Sequence, residues 1–222
     1  MEEPTLRLPY KNDEHIFVLK DAYLAFFCGQ EIVSRYWWKR VWNPIVSWFV
    51  GGYTHSEITF RFASLATFDN RPLEIYLACN IYTGEQLQFE FKTQQYKSEI
   101  WELKMLNLTR AQLFELYNIC KADVQRGIAF NSQVYRNFLC PRFCAYDGQV
   151  AKSAWCSEHN ASVLQRLGLA GFADIEPYRT DPQQLYQHMF DNHHQLGLSV
   201  PPGGYDEYTK KKPKFKLVLR ST

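Results

Sequence analysis

The sequence predicts an α+β fold, with strands in the first half of the chain and helices in the second. Short runs of β-branched and aromatic residues, separated by turn residues, recur from residue 15 to residue 106, as strands require. After Thr109 the segments carry helix-start and helix-end residues instead. Strands followed by helices are typical of α+β proteins. We therefore expect an antiparallel β-meander or barrel that packs against helices.

The first half of the chain contains most of the predicted strands. Residues 15–27 are rich in branched and aromatic side chains and form one or two strands, broken near Asp21. Residues 55–62 alternate polar side chains with apolar or small ones, which is the pattern of a half-buried strand. Further strands are predicted at 72–80 and 86–91, with Gly84 at the turn between them, at 99–106, which completes the meander, and at 214–219.

Helix signals dominate the second half. Thr109 and Gln112 form a predicted capping box, and Gly127 ends the helix that they open. The remaining predicted helices are 32–42, 156–167, 182–189 with Asp181 as N-cap, and a short one at 131–138.

Composition limits the domain organisation and the function class. The chain has 222 residues, 46% of them hydrophobic, which is enough for one domain with a sizeable core. We predict a polar extension at 1–14 and a single domain over 15–222. A formal net charge of +2 gives no electrostatic reason to expect nucleic-acid binding. The longest uncharged run, between Arg40 and Glu57, is too short and too polar to predict a membrane span.

Cysteine usage predicts a reducing compartment. The first residues lack the basic and apolar regions of a secretory signal, so we expect an intracellular protein that is not secreted. Its thiols are then expected to stay reduced. The six cysteines are Cys28, Cys79, Cys120, Cys140, Cys144 and Cys156.

A cysteine and a histidine, far apart in sequence, make the most specific chemical proposal. Cys156 opens a predicted helix, where unpaired N–H groups and the helix dipole favour a thiolate. His55 lies on a predicted strand, and its pKa range suits proton transfer near neutrality. A histidine within reach of the thiol takes its proton and creates the nucleophile. The pair predicts cysteine catalysis, with Cys156 as nucleophile and His55 as general base. No cofactor is expected.

Four segments resemble the circularly permuted branch of the papain-like fold, which includes NlpC-like peptidases and lecithin:retinol acyltransferase-like enzymes. In that branch the strand histidine precedes the helix cysteine, as it does here. The closest likeness is to members found in large DNA viruses. The resemblance implies a permuted papain-like fold and attack on an amide, ester or thioester through a thioester acyl-enzyme. It rests on 20–27 (KDAYLAFF), 53–58 (YTHSEI), 155–158 (WCSE) and 180–186 (TDPQQLY).

The group that orients the imidazole has three candidates. Glu57 belongs to the matching motif and shares a strand face with His55, because side chains repeat every second residue. The resemblance instead implies a partner on the neighbouring strand, where Glu74 and Asn80 lie. Glu57 is the first choice, and Glu74 and Asn80 remain alternatives.

Two other functions compete with catalysis. The spacing of Cys140, Cys144, Cys156 and His159 fits a zinc site, which would silence Cys156 as a nucleophile. The other is a papain-like scaffold with a structural or interaction role, within a virion or with protein partners.

Two further clusters bear on partners. Trp37, Trp38, Lys39, Arg40, Trp42 and Trp48 mix aromatic and basic side chains, which suits either a membrane surface or a helix packed on the sheet. A basic run near the C-terminus, from Lys210 to Lys216, is typical of a solvated tail. The expected substrate is a peptide or lipid acyl compound.

Overall fold

The computed structural model describes residues 3–10, 13–28, 52–68, 71–82, 84–93, 96, 101–131 and 153–192. The helices predicted at 32–42 and over most of 131–138, the strand predicted at 214–219, the tryptophan-rich cluster and the C-terminal basic run lie outside the described residues.

The fold is α+β, as the sequence predicts. Six antiparallel strands form one curled half-barrel sheet, in which β1 to β5 are neighbours in sequence order and β6 pairs with β2. A second, two-stranded parallel pair is formed by β7 and β8. The strands are β1 Thr5–Tyr10, β2 Asp13–Cys28, β3 Tyr53–Phe68, β4 Arg71–Asn80, β5 Gln88–Phe91, β6 Trp101–Leu106, β7 Ala129–Phe130 and β8 Ser153–Ala154.

The three helices described are α1 Arg110–Gln125, α2 Cys156–Arg166 and α3 Pro182–Asp191. The predicted capping box of Thr109 and Gln112 is confirmed at the start of α1. Gly127 and Gly168 have φ angles of 66° and 70°, the left-handed conformation that glycine adopts at helix ends. α2 and α3 pack on β3, and α1 contacts α2. The start of α2 is thereby placed against the strand that carries His55.

β6 pairs with β2 and not with β5, so the prediction that the strand at 99–106 completes the meander is wrong. β6 pairs with the second half of β2, from Ala22↔Leu106 to Phe27↔Trp101, while β1 pairs with the first half. Alternation within a strand shows which side chains are buried but carries no information about the partner strand. As a result, Trp101 lies beside Phe27, which also pairs with His55.

The segment expected as a polar extension contains a strand. Residues 5–10 pair antiparallel with residues 13–18. Leu6 and Leu8 are partly buried and pack against the core. Two alternating leucines are enough to hold the segment on the sheet edge, although charged residues surround them in sequence.

β3 is buried on both faces, whereas the sequence pattern predicts only one buried face. Ile58, Phe60 and Phe62 are fully buried on the apolar face, in the core. Glu57 and Thr59, on the opposite face, are equally inaccessible. Buried polar groups need internal partners, so the polar face of β3 requires a hydrogen-bonded network of its own.

Two β-bulges change the direction of side chains on the long strands. Between Leu19 and Asp21 the pairing skips Lys20, which accounts for the break expected near Asp21. Between Phe27 and Cys28 the partner on β3 moves from His55 to Tyr53, so Thr54 is the extra residue. A bulge re-aims the neighbouring side chain, and this one immediately precedes His55.

None of the helices in the described part of the chain has the length and apolar character needed to cross a bilayer.

We expect Phe60→Ala to destabilise the protein by about 3–5 kcal/mol, because a fully buried aromatic ring leaves a cavity in the core. Leu65→Ala is the matched control on the same strand, since Leu65 is 68% exposed, and its effect should stay within about 0.5 kcal/mol. Urea unfolding measures both. Similar losses for the two variants would contradict the assignment of the core face.

Candidate active site

Cys156 is the first residue of α2, directly after the short strand β8. Trp155 precedes the helix in an extended conformation, with φ of −96° and ψ of 173°. Cys156 is 8% exposed. At this position the first N–H groups of the helix have no partners within the helix, so they favour negative charge on the sulfur.

The start of α2 is fixed by hydrogen bonds to Thr180 and by one bond within its own first turn. The Trp155 indole N–H and the Ser157 hydroxyl both donate to the Thr180 carbonyl oxygen, at 3.2 Å and 2.6 Å. The buried Glu158 carboxylate accepts from the Trp155 backbone N–H at 3.2 Å. These contacts fix the position from which the Cys156 side chain projects.

A buried hydrogen bond links α2 to β3 next to both candidate catalytic residues. Asn160 Nδ2 donates to Ser56 Oγ at 3.0 Å. Asn160 lies one helical turn after Cys156, and Ser56 follows His55 in sequence. Both are almost completely buried. This bond therefore fixes the position of Cys156 relative to His55.

The thiol of Cys156 and the imidazole of His55 lie close enough for each to shift the pKa of the other. Burial alone would raise the pKa of Cys156, but the charge and hydrogen bond of His55 lower it. Backbone N–H groups of Ser56 and Ser157 lower it further by donating to the sulfur. Burial alone would lower the pKa of His55, whereas Cys156 and Glu57 raise it to about 9. These opposite shifts favour the thiolate–imidazolium pair at neutral pH.

Glu57 contacts the other side of the imidazole. Its Oε2 lies 3.3 Å from His55 Nε2. The Glu57 side chain is fully buried, and its Oε1 accepts a hydrogen bond from the Tyr96 hydroxyl. Although the two residues share one strand, the bulge at Thr54 turns the histidine so that a neighbour two residues on reaches its ring.

Of the two alternative orienting residues, Glu74 lies elsewhere, whereas Asn80 is on the neighbouring strand one residue beyond the Ile58↔Cys79 pair, next to Glu57. Glu74 pairs with Ala63 across the sheet, and its carboxylate binds Arg61 at 2.5 Å. Asn80 is buried, and its Nδ2 donates to Glu90 Oε2 at 2.9 Å, while its Oδ1 has no hydrogen-bond partner. The structure therefore brings Cys156, His55 and Glu57 together and leaves Glu74 outside this group.

Aromatic side chains enclose the histidine ring. Tyr82 stacks on His55 with ring centroids 4.8 Å apart and an interplanar angle of 23°. Trp101 meets the same ring edge-on at 6.1 Å. His55 keeps 12% of its side-chain surface exposed. Packing on both sides limits rotation of the imidazole and exposes only part of it.

The zinc hypothesis receives no support from the residues that are described. His159 is buried and its Nε2 lies 3.1 Å from Asp123 Oδ2, which also binds Arg166. Cys140 and Cys144 lie outside the described residues. Within the described ranges, no three metal-ligating side chains are grouped as a metal site.

Cys79 has the opposite electrostatic setting. Cys79 and Cys120 are free, fully buried and in contact with each other. Burial and the contact with Cys120 raise the pKa of Cys79 well above its usual range. A thiol held protonated in this way is a poor nucleophile, so Cys79 serves as an internal reference for Cys156.

Sequence reasoning misses several residues around the histidine. Tyr82, Lys92, Tyr96 and Trp101 come from loops or strand ends in four different places along the chain. None belongs to a recognisable motif. No signal in the sequence points to them, because the pattern of β3 predicts only one buried face, whereas the buried Glu57 demands partners from neighbouring segments.

Comparison of the chain with protein-family models, with curated proteins and with solved structures found no match.

We expect Asn160→Ala to cost about 1–3 kcal/mol, because it leaves the buried Ser56 hydroxyl without its partner. It should also slow alkylation of Cys156, because α2 loses its tie to the strand of His55. Gln187→Ala is the control, since Gln187 only bonds Asp191 on the exposed side of α3. Urea unfolding and iodoacetamide labelling test this, and an Asn160→Ala protein unchanged in both would refute the tether.

Proposed function

We propose that this protein is a cysteine-dependent hydrolase or acyltransferase that acts on an amide, ester or thioester of a peptide or lipid. One observation carries the proposal: a cysteine at a helix start lies close enough to a histidine for the histidine to lower the thiol pKa, and Nε2 of that histidine faces a buried carboxylate. This is the nucleophile–base–orienting group arrangement of covalent catalysis. The order of histidine before cysteine, with the α+β architecture, also supports a permuted papain-like fold.

In the first half-reaction the Cys156 thiolate attacks the substrate carbonyl carbon and forms a carbon–sulfur bond. The carbonyl electrons move to oxygen, and we expect the backbone N–H of Cys156 at the helix start to stabilise that oxyanion. When the tetrahedral intermediate collapses, the bond to the leaving group breaks. The His55 imidazolium gives its proton to the leaving amine, alcohol or thiol.

In the second half-reaction the now neutral His55 acts as a base. It removes a proton from water, or from an acceptor hydroxyl, amine or thiol, as that group attacks the thioester. Collapse breaks the carbon–sulfur bond and returns Cys156 as thiolate beside a protonated His55. Glu57 accepts from Nε2–H throughout and so keeps the correct imidazole orientation.

The proposed substrates are acyl compounds met inside the cell. An intracellular location fits the free state of Cys79, Cys120 and Cys156. For a lipid substrate, the tryptophan-rich cluster would provide contact with a membrane surface. A viral protein of this type would act in the producing cell or be carried in the virion.

We expect iodoacetamide to label Cys156 faster than Cys79 at pH 7, because the pKa of Cys156 is lowered while that of Cys79 is raised. His55→Ala removes the group that lowers the thiol pKa, so burial then dominates and labelling at pH 7 should fall by about tenfold for each unit of pKa increase. Peptide mass spectrometry on a time course measures the rates for each cysteine separately.

His188→Ala is the matched histidine control, since the His188 ring bonds Gly171 on the far side of α3 and not the thiol. The rate lost in His55→Ala should return as pH is raised towards the unassisted thiol pKa. If Cys156 labels no faster than Cys79 and Cys120, or if His55→Ala and His188→Ala behave alike, the proposed catalytic pair is wrong.

A further inference from the structure

Lys92 is a buried cation beside Glu57, the carboxylate that contacts the candidate catalytic histidine. It follows β5, and only 3% of its side-chain surface is exposed. Burying an ammonium group is costly unless anions or hydrogen bonds compensate it. Lys92 has such partners: its Nζ lies 3.1 Å from Glu90 Oε2 and 3.9 Å from Glu57 Oε2, and it donates to the Tyr82 hydroxyl.

These contacts reach His55 by two routes. One passes through Glu57, whose Oε2 lies between Lys92 Nζ and His55 Nε2. The other passes through Tyr82, whose ring stacks on the imidazole and also lies 4.9 Å from Lys92 Nζ. The Lys92 ammonium therefore contacts both Glu57 and Tyr82, two of the residues that contact the imidazole.

The remaining groups around Glu57 bear no positive charge. The Tyr96 hydroxyl donates to Glu57 Oε1 and also contacts the Thr59 hydroxyl. Burial and the charge of Glu57 raise the pKa of Tyr96, so this donor stays neutral. Cys79, the nearby thiol on β4, also stays protonated. In the described part of the chain, Lys92 is thus the one cation besides protonated His55 that faces this carboxylate.

The charge balance of the buried site changes when Cys156 reacts. In the resting state the thiolate offsets the imidazolium, and Lys92 is shared between the buried Glu57 and the partly exposed Glu90. In the acyl-enzyme the sulfur is neutral and His55 has lost its proton, so Lys92 is the remaining counterion of Glu57. A buried carboxylate without a counterion tends to take up a proton. Neutral Glu57 would then no longer favour the imidazole tautomer that deacylation needs.

We propose that Lys92 is a positioning residue of this site, which keeps the buried Glu57 ionised so that it still orients His55 after Cys156 has been acylated. This inference rests on the proposed function for its catalytic meaning. The coupling between Lys92, Glu57 and His55 is a property of the folded chain, and it is testable without any turnover.

The test is an NMR titration of the His55 ring in the full chain carrying Cys156→Ser, whose neutral hydroxyl stands in for the acylated sulfur. In this background we compare Lys92→Met, Glu57→Gln and the double variant. If Lys92 keeps Glu57 ionised, Lys92→Met lowers the pKa of His55 by about one unit or more, as Glu57→Gln does. The double variant then has the same pKa as Glu57→Gln alone.

A rise in the pKa of His55 on Lys92→Met would contradict the proposal. If Lys92 merely repels the imidazolium, its removal raises the pKa of His55, and an unchanged pKa is equally contrary. Lys104→Met is the matched control, since Lys104 pairs with Glu102 at 2.5 Å and not with Glu57, and it should leave the titration unaltered. Lys92→Arg keeps the cation and should preserve the pKa of the parent.

Urea unfolding of the same variants covers the case in which Lys92→Met folds poorly. Because the double variant leaves neither buried charge unpaired, it should be more stable than Lys92→Met alone. If the losses of unfolding free energy of Lys92→Met and Glu57→Gln simply added in the double variant, the coupling between Lys92 and Glu57 would be contradicted. Selective labelling of Cys156 with no Lys92 effect would remove only this inference, whereas a Lys92 effect without selective labelling would remove only the proposed function.

Discussion

The contact between the start of α2 and the first residues of β3 is the constraint on which the rest of the site depends. It joins Cys156 to His55 across about a hundred residues of chain, and the Asn160–Ser56 bond fixes it one turn further along. The hydrogen bonds to Thr180 hold the helix start from the other side. Loss of this contact would leave a buried thiol and a buried imidazole, each uncharged, and no nucleophile.

The polar face of β3 is the electrostatic counterpart of that contact. Glu57 is fully buried. Burial of a carboxylate is unfavourable unless cations or hydrogen-bond donors compensate its charge. Here it is met by His55, Lys92 and the Tyr96 hydroxyl, so each oxygen has a donor or a cation. The site is therefore pre-organised before any substrate binds, which is the condition under which a carboxylate orients an imidazole effectively.

Local signals in the sequence predict much of this, and long-range pairing explains the rest. The capping box at Thr109 and the helix start at Cys156 depend on adjacent residues and are confirmed as elements. The pairing of β6 with β2, and the bulge at Thr54, depend on register between distant segments, which a single sequence does not encode visibly. The role of Lys92 cannot be predicted from the sequence for the same reason, because Lys92 becomes buried only when the sheet curls.

The most direct test of the central claim is the ultraviolet absorbance of the thiolate, measured against pH as the difference between the protein and its Cys156→Ser variant. The account predicts a thiolate signal already present at neutral pH, because His55 lowers the pKa of Cys156. A signal that appears only in alkaline solution, as for a thiol that merely lies buried, would contradict it.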